Sequence, residues 1–143
     1  NDCLLENLAY AASSLTKDVL RNFAYLSPTT QHRCDASYVK KRTKAESLVC
    51  FDNALLVDRK YRAFYPWPGI HLESKMKLLE IELESEEGCF QEGEILAIEK
   101  SHIKIACKRG ILRVINLQPA SKKAVNATAY LNGKRLGIGD ILS

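Results

Sequence analysis

Hydrophobic residues in the first 26 positions recur at the three- and four-residue spacing of an amphipathic helix. The polar pair Ser13-Ser14 interrupts this spacing and predicts two helices, over residues 2–13 and 16–26. Residues 27–46 contain Pro28 and no regular apolar spacing, which predicts a linker. The apolar positions of the helical segment are Leu4, Leu5, Leu8, Ala12, Leu15, Val19, Leu20, Phe23 and Leu26.

The central part of the chain predicts a strand, a helix and a corner. The apolar run 47–51 predicts a short strand, and Asp52 is well placed to cap a helix from Asn53 to Ala63. Pro66 and Pro68 then forbid a helix or a central strand, so that residues 66–69 form a rigid turn. Phe64, just before this turn, and Trp67, within it, are expected to pack on the core; base stacking is the alternative.

From residue 77 onward the hydrophobic period changes from about four to two, which indicates half-buried strands. Leu79, Ile81 and Leu83 alternate with glutamates, and the same pattern predicts strands over 94–99 and 103–107. A turn at 108–110 predicts a hairpin with a strand over 111–117. Asn126 caps a short helix through Leu131, and residues 136–142 form a last strand.

These elements predict a mainly β fold. We expect a small OB-like antiparallel barrel with a short helix, preceded by an N-terminal helical segment and a linker. An SH3-like barrel would produce a similar pattern. The predicted organisation is a helical segment over 1–26, a basic interdomain linker over 27–46 and a barrel domain over 47–143.

Composition narrows the cellular setting. The five cysteines are odd in number and none has Cys-x-x-Cys spacing, which argues against a disulfide framework or a zinc ribbon. We therefore predict a reducing, cytoplasmic location and no metal site. Charges interrupt every apolar run long before about 20 residues, so no membrane span is expected.

The first residue is Asn1 and the single methionine is Met76. We therefore expect the chain to be a piece cut from a longer protein.

Charge is unevenly distributed along the chain. Residues 71–98 contain two lysines against eight glutamates, whereas residues 99–143 contain nine basic and two acidic residues. Residues 31–70 are also basic, with four cations in the five positions 40–44. Two basic segments around an acidic one fit a face that binds a polyanion, and charge alone equally fits a mixed solvated surface.

Four sequence segments resemble the methionyl-tRNA formyltransferase family. Residues 62–69, RAFYPWPG, are similar to its RAFxPWPG signature, and residues 117–127, LQPASKKAVNA, resemble its LQPAGKKxMxA run. Residues 130–133 match the LNG ending, and residues 41–46 resemble the linker before the short strand. Ser121 and Val125 depart from the usual Gly and Met.

The resemblance covers residues 38–143 and implies the tRNA-binding C-terminal part of such an enzyme. The parent would transfer a formyl group from 10-formyltetrahydrofolate to the amino group of initiator methionyl-tRNA, as a monomer. No catalytic motif of the family matches this chain, so we assign no catalytic or cofactor-binding residue and expect the chain alone to be inactive. Its expected partners are initiator methionyl-tRNA and the missing N-terminal catalytic domain of the same polypeptide.

Ten basic side chains are candidate tRNA contacts, because an RNA backbone is bound by neutralising closely spaced phosphates. The linker set could follow an RNA groove; the alternative is a solvated linker. Two further sets lie on the predicted hairpin, where Lys104 and Lys108 should share a strand face, and in the loop beyond it. The ten are Lys40, Lys41, Arg42, Lys44, Lys104, Lys108, Arg109, Arg113, Lys122 and Lys123.

Two other functions remain open from the sequence. One is a stand-alone OB-type module that binds single-stranded nucleic acid, which would prefer unstructured strands to folded tRNA. The other is the tail of a formyltransferase that acts on a sugar nucleotide, where the barrel need not touch nucleic acid. The basic linker and Lys122-Lys123 count against the second.

Overall fold

A computed structural model describes residues 2–142 and divides the chain into two compact units. The first unit extends to Lys41 and the second begins at Arg42, so the division falls within the cationic run of the linker. Asn1 and Ser143, the outer ends of the predicted segments, lie outside the described residues.

The first unit contains one long helix, α1 (Asp2–Asn22), followed by two 3₁₀ turns, Phe23–Tyr25 and Arg33–Asp35. The predicted break at Ser13-Ser14 is wrong. Thr16, at the start of the second predicted helix, donates its hydroxyl to the carbonyl of Ala12 at 2.7 Å, which satisfies this polar group inside a continuous helix. All side chains from 3 to 41 are exposed, so the apolar positions of α1 are not buried within this unit.

The second unit is built on an antiparallel six-stranded sheet with the order β1-β2-β5-β4-β3, and β6 pairs with β5. The mainly β fold class, with a preceding helical segment and a short C-terminal helix, is confirmed. The strands are β1 (Ile70–His71), β2 (Lys77–Cys89), β3 (Ile95–Ile98), β4 (Ile103–Ala106), β5 (Arg109–Gln118) and β6 (Val125–Asn126).

The predicted β4–β5 hairpin is confirmed, with Ala106 opposite Ile111 and the Cys107 amide donating to the Gly110 carbonyl at 2.9 Å. Gly110 has φ +87°, and a Cβ there would lie 2.4 Å from the Ser85 carbonyl oxygen. Only glycine combines this backbone conformation with so close an approach of β2. The hairpin is therefore held against β2 at its turn.

The buried positions of β2 differ from the simple alternation. Leu78 is 1% exposed and Ile81 is 4% exposed, whereas Leu79 is only half-buried. The β2–β5 ladder shifts register between Leu78 and Ile81. An irregularity of this kind moves the next side chains to the other face, which is why two buried residues are three positions apart.

Two helices pack on the sheet, α2 (Ala54–Phe64) and α3 (Ala127–Lys134). The cap of α2 is Asn53, whose side chain accepts from the Leu56 amide at 3.2 Å, and not Asp52 as predicted. The predicted Asn126 cap is confirmed by a 2.9 Å hydrogen bond from the Thr128 amide. Helix α3 continues three residues beyond its predicted end.

The strands predicted over 47–51 and 136–142 are wrong. Both segments make single bridges to sheet edges: the Val49 amide donates to His71 of β1, and the Gly139 amide donates to Ile95 of β3, each at 2.9 Å. The first segment begins in a 3₁₀ turn and the second contains Gly139 at φ +91°, and neither geometry continues a ladder. Both cover edges that would otherwise be open to pairing.

The core lies between the sheet and the helices, with Ile95, Ile105, Leu112 and Leu131 fully buried. Residues 2–142 contain no helix that is long and apolar enough to cross a bilayer.

Candidate nucleic-acid interface

The linker cations are exposed but differ in local order. Lys40 and Lys41 belong to an irregular segment of the first unit. In the second unit, the Arg42 guanidinium lies 5.2 Å from the centroid of the buried Phe64 ring, a cation–π distance. Lys44 precedes a 3₁₀ turn, and its carbonyl accepts from the Ser47 hydroxyl at 2.7 Å. The Arg42 side chain is thus oriented by Phe64, whereas only the backbone of Lys44 is fixed by the turn.

Two cations of the hairpin are bound to carboxylates of β2. The Lys104 ammonium lies 2.9 Å from Glu84 and 3.4 Å from Glu99. The Arg113 guanidinium bonds to Glu84 and lies 3.5 Å from Glu82. Arg113, and then Lys104, lower the pKa of the Glu84 carboxyl, while the bond to Glu84 raises the pKa of Lys104.

Lys108 is also bound to carboxylates, at a different place. Its ammonium lies 2.5 Å from Asp52 and 3.2 Å from Glu92, and these bonds raise the pKa of Lys108. Because Ala106 and Cys107 are both fully buried, the alternation that would have put Lys104 and Lys108 on one face ends between them. We call Lys104, Lys108 and Arg113 the carboxylate-paired cations.

Three potential metal ligands lie around Lys108: Cys50, Asp52 and Glu92, whose ligand atoms are within 4.8 Å of one another. Residues 2–142 contain no other group of this kind. The Cys50 thiol donates to Asp52 at 2.8 Å, and this bond raises the pKa of the thiol. A protonated thiol is a poor metal ligand, and the Lys108 ammonium already bridges the two carboxylates. The cluster is therefore an ion-pair network.

The loop after β5 carries cations of a different kind. Lys122 and Lys123 are exposed, and they line a pocket of about 280 Å³ together with Lys134, which sequence reasoning missed. We call this the lysine pocket. Its other lining residues are Pro119, Val125, Ala129, Tyr130 and Gly133.

No ion pair reaches any of the three lysines within the described chain. Tyr130 and Lys134 lie four residues apart in α3, so they share a helix face. Extending the predicted helix beyond Leu131 would have revealed this spacing. The last hairpin candidate, Arg109, is exposed and likewise lacks an ion pair in the part of the chain that the structure describes.

A serine and a histidine lie within hydrogen-bond distance: the Ser47 hydroxyl is 3.1 Å from His71 Nδ1. Ser47 is 1% exposed and donates its hydroxyl proton to the Lys44 carbonyl. The hydroxyl therefore accepts from the imidazole, which is the reverse of what activates a nucleophile. The pair is structural.

The two aromatic residues of the RAFYPWPG segment differ. Phe64 is 3% exposed and packs in the core as predicted, whereas Trp67 is 60% exposed. The expected packing of Trp67 is wrong, because the turn at 66–69 directs it away from the core.

The family described as "Formyl transferase, C-terminal domain" matches residues 41–135. The chain belongs to this family. The similarity inferred from the four sequence segments is thereby confirmed.

Curated relatives extend the comparison to the whole chain. The methionyl-tRNA formyltransferase of Sulfurimonas denitrificans is 48% identical over 143 residues, which is 100% of this chain and 47% of that protein. The enzyme of the same name from Wolinella succinogenes is 49% identical over 97% of this chain and 46% of its own length. The chain thus spans about half the length of the curated relatives it matches.

Solved structures show the same fold. A variant of HypX from Aquifex aeolicus superposes with a TM-score of 0.69 at 20% identity, covering 87% of this chain and 23% of HypX. HypX in complex with tetrahydrofolic acid gives a TM-score of 0.68 at 20% identity, over 89% of this chain and 24% of that one. At 20% identity these structures show a similar fold and nothing more.

Proposed function

We propose that this chain is the C-terminal, tRNA-binding part of a methionyl-tRNA formyltransferase. The observation that carries the proposal is the 48% identity along all 143 residues to a protein of that name, together with the match to the C-terminal family over 41–135. The parent would transfer a formyl group from 10-formyltetrahydrofolate to initiator methionyl-tRNA in the cytoplasm.

The proposed organisation is a helical segment over 1–26 from the end of the catalytic domain, a linker over 27–46 and an OB-type barrel over 47–143. The exposed apolar side chains of α1 support the first assignment, since Leu8 and Leu15 are 55% and 64% exposed in this chain. Such a face is expected to be covered in the full polypeptide.

The tRNA would be held by cations that are free to meet phosphates. Lys40, Lys41 and Lys44 are exposed and have no ion pair within residues 2–142, which supports their assignment as phosphate contacts. Arg109, Lys122 and Lys123 support a second contact region on the sheet domain. The carboxylate-paired cations would contribute less, because a phosphate must first displace a carboxylate.

A titration of the 143-residue chain with initiator tRNA at several salt concentrations tests this proposal. We expect binding that prefers tRNA to a single-stranded oligonucleotide and that weakens linearly in log Kd against log salt. Lys41→Ala with Lys44→Ala should weaken binding and flatten that slope; an unchanged slope would refute the linker role. Equal affinity for both ligands would instead favour a single-strand binding module.

The absence of turnover is a separate part of the proposal. The parent's reaction needs a catalytic domain, and the Ser47–His71 pair has the wrong hydrogen-bond polarity for nucleophilic chemistry. The purified chain should release no formyl-methionyl-tRNA when mixed with 10-formyltetrahydrofolate and charged tRNA. Measurable formylation would contradict this expectation.

A further inference from the structure

We propose that the lysine pocket is a subsite for one ribose-phosphate unit of an RNA backbone. Lys122 and Lys123 come from the loop after β5, and Lys134 comes from the last turn of α3. These two elements are brought together by β6, whose residue Val125 pairs with Leu117 of β5. The site therefore exists only in the folded domain.

The pocket has the chemistry that a sugar-phosphate unit requires. Three lysines contribute to its lining, and no carboxylate is among its lining residues. Pro119, Val125 and Ala129 give it an apolar floor, suited to the carbon face of a ribose ring. Its volume is about 280 Å³, which suits the sugar and phosphate of one nucleotide.

The charges favour binding of an anionic ligand at the lysine pocket rather than at the hairpin. Each carboxylate-paired cation has carboxylate oxygens within 2.5 to 3.5 Å, so its charge is already balanced. The three lysines of the pocket have no such partner in the described part of the chain. A phosphate can approach them without displacing another anion.

This inference rests on the proposed function for the identity of the polyanion, and adds the place and the mode of contact. It also assigns a binding role to Lys134. The apolar floor predicts that both sugar and phosphate are contacted, so that binding here orients the strand without reading bases.

Gly133 permits a direct test. It lines the pocket, and a Cβ at this position meets no atom within 4 Å, so a side chain can be added without a clash. Gly133→Glu places a carboxylate among the three lysines, whereas Gly133→Ala adds only a methyl group. Lys75→Gln, on an exposed turn away from the lining residues, makes the same change in net charge as Gly133→Glu.

Binding of initiator tRNA to the 143-residue chain should fall about tenfold or more in Gly133→Glu, and stay within about twofold in Gly133→Ala and Lys75→Gln. Lys134→Gln, which serves if Gly133→Glu does not fold, should lower the salt slope by about 0.7 to 0.9, one phosphate contact. Circular dichroism would verify the fold of each variant.

The outcomes separate this inference from the proposed function. If the unaltered chain binds tRNA but Gly133→Glu and Lys134→Gln bind equally well, the lysine pocket is not a contact site and the proposed function stands. If the unaltered chain does not bind tRNA at any salt concentration, both are overturned. An equal loss in Lys75→Gln would attribute the effect to net charge and overturn the subsite.

Discussion

The second unit carries two sets of cations that look alike in the sequence and differ in the structure. The carboxylate-paired cations lie on or next to the β4–β5 hairpin, and each has at least two carboxylate neighbours. The lysines of the lysine pocket have none within residues 2–142. Lysine and arginine positions therefore locate a binding surface only after their internal partners are known.

The difference follows from the elements that pack beside each set. The hairpin lies against β2, where Glu82 is opposite Arg113 and Glu84 bonds to the same guanidinium. The loop after β5 lies beside α3, whose residues Ala127–Lys134 include no acidic side chain. Glutamates of β2 thus neutralise Lys104 and Arg113, while Asp52 and Glu92 neutralise Lys108. No carboxylate lines the lysine pocket.

The largest effect that separates the two sets should be on the salt dependence of tRNA binding. Neutralising two free cations with Lys122→Gln and Lys123→Gln should lower the slope of log K against log salt by roughly 1.4 to 1.8 and weaken binding about tenfold or more. The matched control, Lys104→Gln with Lys108→Gln, makes the same change in net charge on two carboxylate-paired cations and should leave the slope nearly unchanged. An equal loss of slope in both variants would break the comparison.

The stability of α3, which carries Lys134 of the lysine pocket, can be lowered without changing any of the three lysines. Asn126 caps α3 through the Thr128 amide and donates to the Ser101 carbonyl at 2.9 Å. Asn126→Ala should lower the free energy of unfolding by about 1 kcal/mol, the usual cost of a lost cap, in a urea titration. Asn126→Ser keeps a capping oxygen and should lose less. Equal stability of all three proteins would show that the cap contributes nothing.

The carboxylate-paired cations can be released. Glu84→Gln removes the carboxylate that binds both Lys104 and Arg113, so these side chains become available to phosphates. tRNA affinity should rise by about two- to fivefold at low salt, the size of an effect expected from a surface ion pair. The control is Glu73→Gln, the same charge change on an exposed turn residue. If both variants gain equally, the gain reflects net charge and the pairing is irrelevant.

The smallest expected effect is on the pH dependence of stability. The pKa of Glu84 is lower in the folded chain than its ordinary value of 4.5, because Arg113 and Lys104 stabilise the carboxylate. Its contribution is therefore complete above that value and is lost as the pH falls through the lowered folded pKa. Thermal unfolding measured from pH 7 to pH 3 should show a steeper loss in the unaltered chain than in Glu84→Gln. Parallel curves would contradict the pairing.

Much of the fold was predictable because its signals are local. The hairpin at 108–110, the Asn126 cap and the mainly β pattern after residue 77 depend on residues close together in the chain. The wrong predictions also have local causes. No break follows Ser13-Ser14 because the Thr16 hydroxyl donates to a carbonyl within α1. Helix α2 is capped by Asn53, the residue after the predicted cap Asp52.

The candidate site was predictable only in part. Lys122 and Lys123 were recognised from a motif, but Lys134 was missed because it joins them through the β5–β6 pairing and the full length of α3. The edge segments 47–51 and 136–142 were predicted as strands for a related reason. Apolar spacing predicts burial, whereas a ladder requires a partner strand of matching geometry.

The sequence by itself determined the family, the mainly β fold class and the positions of the basic residues, since motifs and local hydrophobic patterns carry this information. Only the tertiary structure decided which basic residues keep an unbalanced charge. The carboxylates that bind Lys104, Arg113 and Lys108 come from residues 20, 29 and 56 positions away along the chain. An ion pair depends on distance in space, and strand pairing brings such remote residues within bonding range.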